Sequence, residues 1–292
     1  MKLRGLTHVG WRSWHIVAAL ALAVVAVWAA LPAWRDILLI ASADEESSHI
    51  FLVPIVAAWM VWVRRVRLRL CPPTGGFIGP PIVAVGWAAY VYGFNHAVQS
   101  LWHAGALLVL IGCIASVLGK NVLFRMLPAF VVLIFLIPVP GTLRQKIAVP
   151  LQTATAAGAQ AVLEVFGTPV ERSANLLAIN GQGIAVAEAC NGMRMVFALV
   201  LVSYAFAYSM PLRTSVRALV ILASPLAAIF CNVVRLVPTI WLYGYASAPA
   251  AERFHDVGGW IMLPLAFLLL LGIVQLLRWA LIPVARFNLA YQ

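Results

Sequence analysis

Apolar runs long enough to cross a lipid bilayer recur along almost the whole chain. Of the 292 residues, 64% are hydrophobic and only 10% are charged, and the mean hydropathy is +0.98. A soluble domain has roughly 25% charged residues, and a helix that crosses the hydrocarbon core needs about 20 mostly apolar residues. We therefore predict an all-α polytopic membrane protein, and a soluble globular fold is excluded.

We predict about eight membrane spans within one integral membrane domain, 1–292. They cover roughly residues 14–34, 48–63, 77–94, 101–119, 122–138, 192–210, 216–243 and 258–282. The first run resembles a signal peptide, but it ends at Pro32-Ala33-Trp34-Arg35-Asp36 without a small-residue cleavage site. We interpret it as a retained span.

The charge pattern predicts the orientation of these spans. The net charge is +11, but the basic residues lie in short blocks between apolar runs, so nucleic acid is not the expected partner. With the N-terminus inside, thirteen of the twenty Lys and Arg residues lie inside and all nine acidic residues lie outside. The thirteen are Lys2, Arg4, Arg12, Arg64, Arg65, Arg67, Arg69, Lys120, Arg125, Arg213, Arg217, Arg278 and Arg286. We therefore expect a multi-pass cytoplasmic (inner) membrane protein with both termini cytoplasmic.

The longest connection, 139–191, is predicted to lie on the outer side. Leu143 to Phe166 is a weakly amphipathic stretch that we interpret as a helix at the membrane surface. A strand-like run begins near Gly167, and residues 178–186 predict a hairpin with Asn180-Gly181 as its turn. This hairpin would bring Cys190 to the mouth of the sixth span.

Cys190 is the first candidate reactive residue. It lies between Glu188 and Arg194 at the expected start of the sixth span, and both a helix N-terminus and a nearby cation favour the thiolate. Cys113 and Cys231 are interpreted as small buried apolar residues. A disulfide between Cys190 and Cys231 is the alternative, and we favour it less because Cys231 should lie about one helical turn below the mouth of the site. The chain has four cysteines and no CxxC, so no zinc or redox pair is indicated.

Arg235 and His255 are predicted on the same outer side. An arginine inside an apolar span is a functional-site hypothesis by default, whereas snorkelling to the headgroups is its structural alternative. Asn232 lies one turn earlier on the same face. We interpret His255 as a loop residue before the eighth span, with Asp256 as a candidate orienting partner. A thiol, an arginine and a histidine are together the components of an acyl-transfer site.

His49, after Ser48 at the start of the second span, is a further outer histidine, for which an interfacial role and a site role are equally good interpretations. His96 and His103 also lie near this side. No HExxH or similar spacing supports a metal site, and no cofactor is expected.

These motifs together resemble the exosortase/archaeosortase family of polytopic membrane transpeptidases. The resemblance rests on Ser48-His49, on Phe135-Leu136-Ile137-Pro138-Val139-Pro140, on Ala187 to Arg194, on Asn232-Val233-Val234-Arg235, and on His255 with Gly258-Gly259. It implies Cys190 as the nucleophile, Arg235 as the transition-state stabiliser and His255 as the proton carrier. Many members carry Ser after the cysteine, where this chain has Asn191, and this departure leaves the subfamily and its sorting motif open.

The resemblance also implies a substrate class. Family members process exported proteins whose C-terminal sorting signal joins a short motif such as Pro-Glu-Pro, a transmembrane helix and a basic tail. The acceptor would be an amine or hydroxyl on a lipid or glycan, or water, and Arg194 and Arg172 are candidates to bind an acidic residue of the motif. Two alternatives remain: simple proteolysis without transfer, and a transporter or non-catalytic assembly factor in which Arg235 is a substrate counter-ion.

Overall fold

A computed structural model of the chain describes residues 10–69, 71–185 and 192–279. It is mostly helical, with one small antiparallel sheet, and the chain forms two compact units, 1–140 and 141–292. The predicted all-α membrane fold with an added hairpin is confirmed. The single integral membrane domain stays a prediction.

The first unit is built from helices joined by short turns. Its α-helices are α1 (Ser13–Ala29), α2 (Leu31–Ala43), α3 (Leu52–Val63), α4 (Arg65–Arg69), α5 (Gly79–Asn95), α6 (Gln99–Arg125) and α7 (Leu127–Val132). Two 3-10 segments, Glu45–Phe51 and Leu133–Leu136, precede α3 and follow α7.

Two predicted spans of this unit differ from the structure. The stretch 14–34 is not one helix, because α1 ends at Ala29 and α2 leaves it at an angle of 78°. Pro32 in the first turn of α2 is the physical reason, since a proline has no N–H to donate to the carbonyl oxygen four residues earlier and its ring clashes with that carbonyl. The stretch 122–138 is not one helix either: it comprises the end of α6, α7 and a 3-10 segment. The predicted break near residue 119 does exist, as a kink at Gly119, where φ is 78°.

Helices α5 and α6 pack backbone to backbone along two rows of glycine. Glycines recur every seven residues on each helix, at Gly79, Gly86 and Gly93 and at Gly105, Gly112 and Gly119. A seven-residue repeat keeps side chains on one face of a helix. A Cβ at Gly86 would lie 2.7 Å from the backbone nitrogen of Val109, so no larger residue fits without separating the helices. The repeat is visible in the sequence, and the sequence analysis missed it.

A polar pair, of which the histidine is fully buried and the carboxylate partly exposed, links α2 to α6. His103 is fully buried, and its Nε2 lies 2.9 Å from Oδ2 of Asp36. Gln99, one turn before His103, donates to the same oxygen at 2.8 Å. Because an ionisable side chain is costly inside an apolar helix bundle, this pairing selects one position of α2 against α6.

The second unit contains four helices and the sheet. They are α8 (Gly141–Val165), β1 (Glu171–Ser173), β2 (Leu176–Ile179), β3 (Gln182–Ala185), α9 (Gly192–Ser209), α10 (Thr214–Tyr245) and α11 (Ala248–Trp279). The predicted helix 143–166 and the predicted hairpin are both confirmed. Asn180 and Gly181 have φ values of 50° and 76°, as a two-residue type I′ turn requires.

The sheet packs against α8 and α10. Leu177 and Ile179 of β2 are buried with Leu163 of α8 and with Leu236 and Ile240 of α10. The hairpin turn is tied to the end of α10, because Nδ2 of Asn180 donates to the carbonyl oxygen of Gly244 at 2.9 Å. The hairpin that precedes α9 is thus held by side chains on two helices.

Helices α9, α10 and α11 share a separate apolar core. Leu199, Ala228, Cys231 and Ala266 are among its buried members. Cys231 is 1% exposed and is a free thiol, which agrees with its interpretation as a small buried apolar residue. Asn232, the residue after Cys231 on α10, belongs to the candidate site, so this core lies next to that site.

Within the described residues, three helical segments are each long and apolar enough to cross a membrane: Glu46–Val63, Gln99–Arg125 and Thr214–Tyr245. The number rises to six if each of three bent pairs of segments is counted as one span. These segments confirm a polytopic membrane protein. The count of eight, the sidedness and the position of the termini stay predictions.

Candidate active site

A buried arginine on α10 is the centre of the candidate site. Arg235 is only 4% exposed and Asn232, one turn earlier, is 2% exposed. Nη2 of Arg235 donates to Oδ1 of Asn232 at 3.1 Å. Nε of Arg235 is buried and has no hydrogen-bond partner within the described part of the chain. The predicted relation between the two residues is therefore present, and snorkelling does not describe a side chain that is buried and hydrogen-bonded inside the protein.

Two glycines of α11 accommodate the side chain of Arg235. A Cβ at Gly258 would lie 3.2 Å from Cγ of Arg235, and a Cβ at Gly259 would lie 3.2 Å from its Nη1. Adjacent glycines inside a helix cost about 1 kcal/mol each relative to alanine. Their position opposite Arg235 explains why glycine occurs here despite this cost. The two residues leave a notch in α11 that accommodates the guanidinium. Helix α11 also bends by 43° between Pro249–Gly259 and Ile261–Leu276.

A second arginine approaches the same notch from α9. Nη2 of Arg194 lies 3.5 Å from the position that a Cβ of Gly259 would occupy. Arg194 and Arg235 thus place one guanidinium nitrogen each within 3.5 Å of a single point. Guanidinium groups are common protein partners of carboxylates and other oxyanions. The arrangement is suited to a carboxylate or to an oxyanion that develops during a reaction.

His255 lies on the same helix as the glycine notch. The sequence analysis assigned it to a loop, and this was wrong, because α11 begins at Ala248 and includes His255. The apolar run that guided the prediction starts only near residue 258, but the preceding polar residues extend the helix by about three turns. Since His255 and Gly259 are four residues apart, they share a face of α11.

Asp256 is the hydrogen-bond partner of His255. Nδ1 of His255 lies 3.1 Å from Oδ1 of Asp256, and the histidine side chain is 29% exposed. When the carboxylate accepts a hydrogen bond from Nδ1–H, it fixes the tautomer that leaves Nε2 as the base. This pairing leaves Nε2 able to take up or deliver a proton.

A narrow crevice borders the site between α8, α9 and α10. Asn232, Gln152, Thr155 and Met193 are among its lining residues, and its volume is about 10 Å³. That is room for about one water molecule. The crevice connects the amide of Asn232 to the polar face of α8, where Oε1 of Gln152 accepts a hydrogen bond from Asn175.

The predicted site residues divide into three groups: those at the notch, those outside the described residues, and Arg172 and His49, which have other contacts. The structure brings Arg194, Asn232 and Arg235 together at the notch, and His255 lies one turn away on α11. Cys190, Glu188 and Asn191 lie outside the described residues, which resume at Gly192.

Arg172 and His49 have contacts of their own. Nε of Arg172 donates to Oε1 of Gln160 at 2.8 Å, so this exposed arginine ties β1 to α8. His49 belongs to the first unit, where its buried ring donates from Nδ1 to the carbonyl oxygen of Glu46 at 3.0 Å. A role for either residue in the site stays a prediction.

The role of Gly258 and Gly259 was not predicted from the sequence, where they were only part of a motif. Two adjacent glycines within a helix nevertheless indicate a close approach by another group. Asp256 does face His255, which sequence adjacency alone could not predict. Within residues 10–69, 71–185 and 192–279, no cluster of three or more His, Cys, Asp or Glu side chains is arranged to hold a metal ion.

One comparison with known proteins identifies a relationship. A sequence model of transmembrane exosortases matches residues 34–272, a stretch that contains Cys190, Arg194, Arg235 and His255. No curated protein and no solved structure matches the chain.

Proposed function

Because the chain belongs to the transmembrane exosortase family, a family of membrane-embedded sorting transpeptidases, we propose that it is a cysteine transpeptidase whose site is formed by Cys190, Arg235 and His255. The observation that carries the proposal is the meeting of Arg194 and Arg235 at Gly259, one helical turn from His255. Acyl transfer needs an oxyanion stabiliser and a proton carrier close together. Cys190 precedes the first described residue of α9 by two positions, and Arg194 lies in the first turn of that helix.

The proposed reaction starts with attack by the thiolate of Cys190 on the carbonyl carbon of the scissile peptide bond. The carbonyl oxygen becomes an oxyanion, which Arg235 stabilises through its guanidinium. The carbon–nitrogen bond then breaks, and the departing amine takes a proton from His255. The product is a thioester on Cys190 and a released C-terminal segment.

The second half of the proposed reaction resolves this thioester. An amine or hydroxyl of a lipid or glycan, or a water molecule, attacks the thioester carbonyl while His255 accepts its proton. Cys190 leaves as the thiolate, and the acyl group is joined to the acceptor. With water as the acceptor the outcome is proteolysis.

The substrate we propose is an exported membrane protein with a C-terminal sorting signal of the Pro-Glu-Pro type. Its transmembrane helix would lie in the same membrane, with the scissile bond at the outer interface. Arg194 would bind the carboxylate of the acidic motif residue, because an arginine recognises a carboxylate with two parallel hydrogen bonds. Glu188 and Asn191 would support Cys190 from adjacent positions.

A cysteine variant tests the proposal directly. Cys190→Ala should remove processing of a co-expressed substrate completely, while the protein remains in the membrane at its normal level. Cys113→Ala is the matched control, because it removes a cysteine in α6 of the first unit, and it should process substrate normally. Full processing by Cys190→Ala would contradict the proposal. Mass spectrometry of an acyl adduct on Cys190 would identify the motif and the acyl chemistry together.

A further inference from the structure

An apolar groove in the first unit has a cationic entrance. It has a volume of about 610 Å³ and is lined by α1, α3, α4, α6, α7 and the 3-10 segment that follows α7. Arg65 is the one charged side chain among its described lining residues, and the others are alanine, aliphatic, methionine or aromatic residues. A groove of this composition within membrane-crossing helices is suited to a hydrocarbon chain.

The groove runs along α1 from Trp11. Nε1 of Trp11 donates to the carbonyl oxygens of Leu68 and Cys71, at 3.0 and 2.7 Å, so the start of α1 lies beside the segment that carries Arg65. From Trp11 to Ala23, the groove follows α1 for roughly 18 Å at the helical rise of 1.5 Å per residue. Half of the hydrocarbon core is about 15 Å. The groove is therefore about as long as one leaflet is deep, and Trp11 and Arg65 lie at the same end of it.

Arg65 has no carboxylate of its own segment to pair with. The chain contains no aspartate or glutamate between residues 47 and 163. In the first unit, the acidic residues are Asp36, Asp44, Glu45 and Glu46, which precede α3, whereas Arg65 follows it. Helix α3 therefore separates these four acidic residues from Arg65. The guanidinium carbon of Arg65 lies 4.1 Å from the centre of the Trp62 ring, and this stacking leaves the N–H groups at the edge of the guanidinium directed outward.

We propose that this groove binds one acyl chain of an anionic phospholipid, with the headgroup phosphate bound by Arg65. Arg67 is exposed two residues further along α4 and adds positive charge near Arg65, which favours a lipid with a net negative headgroup over a zwitterionic one. A transmembrane helix of another protein fits the entrance less well, because helix ends on a basic side carry basic flanks that would repel Arg65 and Arg67. The site is separate from the proposed cysteine chemistry and stands without it.

Native mass spectrometry of the full chain in detergent tests the proposal. We expect one tightly bound phosphatidylglycerol per chain, with phosphatidylcholine of the same acyl chains bound about tenfold more weakly. Arg65→Gln should remove that preference, since a charge-assisted contact accounts for roughly a tenfold change in affinity. Arg125→Gln removes an exposed arginine that does not line the groove, and it should keep the preference. Equal binding of the two lipids to the wild-type chain, or equal loss in both variants, would overturn the proposal.

A second measurement needs no variant. The wild-type chain in nanodiscs is photolabelled with phosphatidylglycerol that carries a diazirine in the middle of one acyl chain. We expect labelled peptides from the groove faces of α1 and α3, around Ala19, Ala23 and Ala57. Labels spread evenly over the exposed apolar residues of all helices would show ordinary surrounding lipid and contradict the proposal.

Discussion

Arg235 donates a hydrogen bond from Nη2 to Oδ1 of Asn232, 3.1 Å away and one turn earlier on α10. A guanidinium is planar, so a hydrogen bond at one nitrogen restricts the directions in which the other N–H groups point. Nη1 is then directed at the notch formed by Gly258 and Gly259. The orientation of the proposed oxyanion stabiliser thus depends on a neighbouring amide.

Removing the amide of Asn232 should impair catalysis more than substrate binding. For Asn232→Ala we expect kcat to fall by roughly a hundredfold, because small misplacements of a catalytic group have effects of that size. KM should change little. Kinetics with a peptide that carries the sorting signal measure both constants. A rise in KM alone, or no change, would show that Asn232 does not position Arg235.

A single methyl group at Gly259 should displace the guanidinium of Arg235. In Gly259→Ala the new Cβ would lie 3.2 Å from Nη1 of Arg235, so that group must shift by a few tenths of an ångström, and it would make an ordinary contact with Nη2 of Arg194 at 3.5 Å. We expect activity to fall by at least roughly tenfold while the protein remains folded.

Gly272→Ala is the matched control on the same helix. Apart from the backbone of its own helix turn, no atom of the described residues lies within 4 Å of a Cβ at Gly272. This variant should keep full activity and be more stable by up to about 1 kcal/mol, because alanine favours helix over glycine. Equal activity in the two variants would show that the notch at Gly259 is not needed for catalysis.

The glycine rows of α5 and α6 should be sensitive to side-chain size. In Gly86→Leu the new side chain would meet the backbone of Val109, since even its Cβ would lie 2.7 Å from the nitrogen. We expect a loss of more than about 2 kcal/mol of stability, which is typical of overpacking in a well-packed interior. Thermal unfolding in detergent measures the effect, and Gly272→Leu is the size-matched comparison. Similar melting temperatures for these two variants would contradict the close packing.

The hairpin should be uncoupled from α10 by a methyl group at Gly244. The Cβ of Gly244→Ala would lie 2.8 Å from three side-chain carbons of Ile179. We expect faster amide hydrogen exchange in the strands, because the sheet must move away from the helix. Ile179→Ala removes all three carbons, so the double variant should be less perturbed than the sum of the single variants. Strict additivity would show that the two residues do not contact.

Asp36 and His103 should be energetically coupled. His103 is fully buried and shares Asp36 with Gln99. Asp36→Asn should destabilise the first unit by about 1–2 kcal/mol, since it removes a charge-assisted hydrogen bond between the partly exposed carboxylate and the buried ring of His103. A double-mutant cycle with His103→Gln measures the coupling by thermal unfolding. A coupling energy near zero would mean that the two side chains act independently.

Much of the fold could be predicted because membrane insertion leaves a strong pattern in a sequence. The apolar runs, the helix near 143–166 and the Asn180-Gly181 turn each depend on local chemistry: hydropathy, helix propensity and a left-handed backbone. Helix continuity was harder to predict. The break at Ala30 and the start of α11 at Ala248 depend on how the flanking residues pack and bend, which hydropathy does not report.

The candidate site shows the same division. Sequence motifs alone identify Cys190, Arg235 and His255 as candidate residues and indicate the family of the chain. This is possible because acyl transfer requires particular functional groups. The meeting of Arg194 and Arg235 at Gly259, and the pairing of Asn232 with Arg235, are products of the tertiary structure. Arg194, Arg235 and Gly259 lie on three different helices, and their distances depend on how closely α9, α10 and α11 approach, which is a property of side-chain packing across the whole core and not of any one segment.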